Sequence, residues 1–155
     1  MEMKRKKLVI VAIALLIIST VILVGVFNAE KRKIERNYNI DLPKSADVMY
    51  MEDTTGWFGD GSILSIVQLD DESDEYISNL FYSMNNGKPS EQFNDSEFED
   101  KIDKILREFF EDLPTEYMIS WSDSYQWTEG ASNSSSLYWI YNDDANILYV
   151  VEVRT

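Results

Sequence analysis

LYWIYNDDANILYVVEVR, residues 137–154, decides how this chain folds. Leu137 to Tyr141 and Ile147 to Val153 are two runs of strand composition. Between them NDDAN suits a five-residue turn, because Asn and Asp tolerate left-handed backbone and bond back to it. The two runs therefore read as a β-hairpin. In its second arm Ile147, Tyr149, Val151 and Val153 alternate with Leu148, Val150, Glu152 and Arg154. One face is apolar throughout and the other turns polar toward the end. Such a sheet is antiparallel and needs helices over its apolar side.

The elements upstream supply that cover. Tyr117 to Trp127, rich in aromatics and hydroxyls, has the composition of a further strand, and SNSSS at 132–136 reads as a loop. Before it, Ser96 followed by Glu99 predicts a capping box at a helix start. From there Phe98, Ile102, Ile105, Leu106, Phe109 and Phe110 form one apolar stripe, ended by Leu113-Pro114. A second helix runs from Asp74 to about Met84, stopped by Asn85, Asn86, Gly87 and Pro89. Asp47–Asp53 and Ile63–Leu69 are short apolar runs bounded by turn residues, and read as strands. The expectation is an α+β domain: an antiparallel sheet of four or five strands, covered on one face by two helices.

Ahead of this domain, Leu8 to Phe27 is an unbroken run of 20 residues whose only polar members are Ser19 and Thr20. At about 1.5 Å per residue such a helix spans the roughly 30 Å hydrocarbon layer. Lys4, Arg5, Lys6 and Lys7 precede it, and Phe27 stands where a cleavage site ending at Ala29 wants a small side chain. The segment is thus expected to stay as a signal anchor. Basic residues flank it about equally; a short basic N-terminus stays in the cytoplasm more readily than a long domain does. The chain divides into a cytoplasmic N-terminus (1–7), a transmembrane helix (8–27), a stalk (28–45) and an extracytoplasmic domain (46–155), a single-pass protein of the cell membrane.

Residues 37–155 hold 25 acidic and six basic side chains, a net charge of −19. Phosphate backbones and anionic head groups repel such a domain, which argues against nucleic acid and favours a basic protein partner. Chemistry is bounded more by what is missing. The chain has no histidine and no cysteine, so imidazole-activated nucleophiles, thiolate chemistry and HExxH zinc sites are excluded. No phosphate-binding glycine loop of the GxxxxGK[ST] or GxGxxG type occurs. Three acidic stretches, EDTTGWFGD (52–60), DDESDE (70–75) and NDDAN (142–146), are candidate calcium ligands, but none has the D-x-[DN]-x-[DN]-G spacing. No catalytic residue, cofactor or metal is expected.

Among the aromatics, Trp139 alternates with Leu137 and Tyr141 on one strand face and reads as core, while Trp121 and Trp127 lie in the strand-like region before it. Trp57 and Phe58 lie between Gly56 and Gly59, in a connection where core packing is less automatic. With Asp60 they are the candidate contact residues, since tryptophan is enriched at binding hot spots. The stretches EDTTGWFGDGSILSIVQL (52–69) and LYWIYNDDANILYVVEVRT (137–155) resemble a group of small membrane-anchored or secreted proteins of Gram-positive bacteria, in which a glycine-flanked aromatic and GDG turn leads into a strand and a tyrosine-rich hairpin closes the chain. The resemblance implies an extracytoplasmic domain of the bacterial envelope and brings no activity, partner or catalytic residue with it. The expected function is protein–protein contact in an envelope, sensing or protection role. The alternative is a cation- or ligand-binding module built on the acidic loops.

Overall fold

Ile63, Leu64, Ile66 and Val67 follow one another without polar alternation, and in the computed structural model every residue from Ser62 to Val67 is buried. A strand with that pattern must be covered on both faces. The structure describes residues 29–57, 59–71, 73–84, 95–132 and 135–154, with Ile13, Leu15 and Gly25 besides. Apart from those three, the expected transmembrane run 8–27 lies outside the described residues, as do the N-terminus 1–7, Phe58 and the helix-stop residues 85–89. Among the described residues no helix is long and apolar enough to cross a membrane.

The chain divides into two compact units, Met1–Asp41 and Leu42–Thr155. In the first, residues 29–38 are helical (α1). Asn39 ends the helix at φ 52, and the Ile40 N–H bonds the Glu35 carbonyl at 3.1 Å. That is a left-handed C-terminal cap which satisfies one of the last free carbonyls.

The second unit contains β1 (Asp47–Asp53), β2 (Gly61–Gln68), α2 (Asp74–Met84), α3 (Ser96–Phe109), a 3₁₀ turn (Thr115–Tyr117), β3 (Tyr125–Ser132), β4 (Ser135–Asn142) and β5 (Ile147–Arg154). The five strands make one sheet in the order β1-β2-β5-β4-β3, with every neighbouring pair antiparallel. The expected element order holds. Within it β3 begins only at Tyr125, because Pro114 starts the 3₁₀ turn and Ser120 to Asp123 form another turn. The SNSSS stretch is mostly strand rather than loop: β3 runs to Ser132 and β4 starts at Ser135. A bulge between Val48 and Tyr50 leaves Met49 unpaired in β1 and brings Val48 opposite Val67.

One sheet face holds Leu64, Ile66, Tyr149, Val151, Tyr138, Ile140 and Tyr125, and packs on Phe98, Ile102, Leu106 and Phe110 of α3 and the residue after it. Phe98 stacks on Trp127 with centroids 3.9 Å apart and 13° between planes, an offset pair of the kind worth about 1 kcal/mol beyond its area. The expectation of two helices on one face is corrected here. Ile63, Val67, Trp139, Tyr141, Leu148 and Val150 alternate with the first set and are as deeply buried. α2, whose Ile77, Leu80 and Phe81 are buried, is no part of the α3 cluster and lies against β3. Its N-terminal Asp74 is close enough to Tyr141, on this second face, to raise that hydroxyl's pKa. The outward turn to polarity in β5 is absorbed by a pair: Glu152, 9% exposed, accepts from Arg154 at 2.7 and 3.1 Å.

The start of α3 differs from the capping box read from Ser96 and Glu99. Asp95 is the N-cap, its carboxylate accepting from the N–H groups of Glu97 and Phe98, both at 3.1 Å. Glu99 therefore sits one residue too late to reach back. The Tyr125 hydroxyl bridges instead, accepting from the Asp95 N–H at 3.3 Å and donating to Glu99 at 2.8 Å.

Candidate functional site

Residues 54–60 join β1 to β2, and the connection is hydrogen-bonded from its base outward. Thr54 and Ser62 face each other through three bonds: Thr54 N–H to the Ser62 carbonyl (2.9 Å), the Thr54 hydroxyl to that carbonyl (3.0 Å), and Ser62 N–H to the same hydroxyl (3.1 Å). Above them the Gly56 N–H bonds the Asp60 carbonyl at 2.8 Å, and the Gly59 N–H returns to the Gly56 carbonyl at 3.0 Å. Gly61 turns the chain into β2 at φ +132, where a Cβ would stand 2.7 Å from the Thr54 carbonyl oxygen. Only glycine fits that bend.

This nested turn leaves Trp57 no protein to fold against, and its side chain is fully exposed, at 102% relative accessibility. The other three tryptophans are drawn inward. Trp139 is buried at 1% exposure, Trp127 stacks on Phe98, and the Trp121 indole N–H donates to Asp103 at 2.8 Å. Of the three candidate contact residues, Trp57 and Asp60 are exposed neighbours in one loop, and Phe58 lies outside the described residues.

Beside the loop runs a groove of about 730 Å³. Gly56, Asp60 and Gly61 form its loop side, Glu108 and Phe109 at the end of α3 the other, and Arg154 of β5 reaches it. Phe109 belongs to the apolar stripe of its helix, and Glu108 beside it is exposed. Nothing local joins them to a loop some fifty residues earlier; the packing of α3 on the sheet does so, while the register Gly61↔Arg154 between β2 and β5 brings Arg154 to the loop. Among the described residues neither the Asp60 nor the Glu108 carboxylate has a hydrogen-bond or ion-pair partner, whereas Arg154 is held by Glu152.

The acidic stretches considered as calcium ligands are engaged differently. Asp53 accepts from both the N–H and the hydroxyl of Thr55. Asp70 accepts from Ser73, and Asp71 from the Asn146 amide. In the β4–β5 turn Asp143 accepts from Gln126 and Ser124, and Asp144 from the Ser124 N–H at 2.9 Å. Burial pushes the Asp143 carboxyl up from the ordinary carboxylate range, although the bonds from Gln126 and Ser124 oppose it. These side chains close turns and tie β3 to the β4–β5 connection. Among the described residues no three acidic side chains gather closely enough to hold a metal ion.

Comparison of the chain with protein-family models, with curated proteins and with solved structures finds no match in any of the three. The reading of the site therefore stands on its geometry.

Proposed function

We propose that this chain is a single-pass protein of a Gram-positive envelope whose acidic domain, outside the cytoplasm, works by protein–protein contact and carries out no catalysis. The observation that carries the reading is Trp57, a fully exposed indole on a loop fixed by its own hydrogen bonds. Exposing an indole costs solvation free energy, and a preorganised loop loses little entropy when it docks, so such a residue is a natural anchor for a partner surface. The net charge of −19 on residues 37–155 selects a basic partner. The apolar run 8–27 supplies the membrane anchor, and the absence of histidine and cysteine supports a role without nucleophilic chemistry.

Cation binding is the weaker reading, because Asp53, Asp70, Asp71, Asp143 and Asp144 already accept from protein donors, which leaves Asp60 alone in its turn.

The contact reading is tested by placing a photo-reactive phenylalanine analogue at position 57 of the full-length chain in intact cells. The expected product is an adduct with a basic envelope protein, weakened by added salt and by Asp60→Asn. Adducts with lipid alone would make the loop a membrane contact and refute the proposal.

A further inference from the structure

We infer that the groove beside the Trp57 loop seats an extended basic segment carrying an apolar side chain, so that the loop and groove form one recognition surface. This rests on the contact reading and names the chemistry of the partner. The charge and the shape of the groove point the same way. Its two exposed carboxylates, Asp60 from the loop and Glu108 from α3, are the groups without partners described above. A lysine or arginine entering between them gains charge-assisted hydrogen bonds and displaces no existing partner. Among the described residues Arg154 is the one cation lining the groove, and Glu152 neutralises it at 2.7 Å, so it does not oppose a second.

Phe109 supplies the apolar part. It packs only partly against the α3 cluster, and its remaining ring surface lines the groove. Gly56 adds no side chain of its own to the opposite wall, beside Asp60, so a peptide backbone approaches the loop closely there. Trp57, next in sequence, offers a ring face for a second cation or an apolar residue. An acidic or anionic occupant would face two uncompensated carboxylates within a domain already at −19.

The test uses the full-length chain in nanodiscs of phosphatidylcholine and three fluorescein-labelled octapeptides, alternating Lys/Leu, Lys/Ser and Glu/Leu, with binding read by anisotropy. The Lys/Leu peptide is expected to bind most tightly, and Asp60→Asn and Glu108→Gln to weaken it each by about threefold to tenfold. Both positions are exposed, so neither change threatens folding, which circular dichroism verifies. Unchanged affinity in the double variant, or equal binding of the Glu/Leu peptide, overturns the inference. If position 57 still cross-links to a basic protein while the groove variants are silent, the groove assignment alone fails. If no adduct forms either, the contact reading fails with it.

Discussion

At the scale of single residues the structure separates positions that composition treats alike. Gly59 and Gly61 both have positive φ, yet a Cβ on Gly59 meets nothing within 4 Å, while on Gly61 it would overlap Thr54 and Thr55 backbone. Gly61→Ala is expected to cost about 3 kcal/mol, and Gly59→Ala about 1 kcal/mol, in urea unfolding followed by circular dichroism. The N-cap of α3 gives a second test. Because Asp95, not Ser96, accepts the free N–H groups, Asp95→Ala should lose about 1 kcal/mol and Ser96→Ala only a few tenths. The reverse ranking would restore the capping box read from the sequence. That reading was a reasonable use of Ser96 and Glu99. It fails because Asp95, one residue earlier, takes the cap, and the Tyr125 hydroxyl, from a strand about thirty residues away, takes the place of the reach-back.

At the scale of elements the spatial order β1-β2-β5-β4-β3 has no local signature, whereas both long helices of the domain and the order of the strands along the chain were legible, because each is written in a local periodicity or a local stop signal. The second buried face was not. β5 alternates toward a polar side at its end, and its Glu152 has the character of a surface residue until Arg154 is seen to pair with it. β2 held the better clue, since four aliphatic residues without alternation have no solvent side. The groove was legible only in part: Asp60 was named, but Glu108 reaches it through the packing of α3. β2 also contains Ser65, fully buried, whose hydroxyl has no hydrogen-bond partner among the described residues. Ser65 faces Met51 and Val150 across the sheet. Replacing it with alanine removes an unsatisfied group at little packing cost, so Ser65→Ala should be neutral or more stable by up to about 1 kcal/mol. A loss above that figure in chemical denaturation would show that the hydroxyl is bonded in solution.

At the scale of the molecule, pH response follows from tyrosines rather than histidine. The hydrogen bond to Glu52, with burial, pushes the Tyr50 hydroxyl up to about 12. Burial raises Tyr125 to about 12 with help from Glu99, and raises Tyr141 to about 12 with help from the carboxylates around Asp74. An unfolded tyrosine ionises near 10. The folded form therefore keeps protons that the unfolded chain releases, so this contribution is whole below pH 10 and is lost as pH rises toward 12. Melting temperature should fall steeply across that window, and Tyr50→Phe, Tyr125→Phe and Tyr141→Phe together should flatten the fall. A melting curve equally steep in the triple variant would assign the loss to general charge repulsion.

The place of β5 between β2 and β4 bears on how the domain comes into being. A chain made from its N-terminus presents β1 and β2 first as a lone hairpin, and later β3 and β4 as another. Isolated hairpins are marginal in water. The strand that joins them, residues 147–154, is the last of the five to be synthesised, and its partner β2 has waited for about eighty residues. Until β5 emerges both inner edges stay open, so a chain cut short before Ile147 holds two sticky half-sheets and no domain.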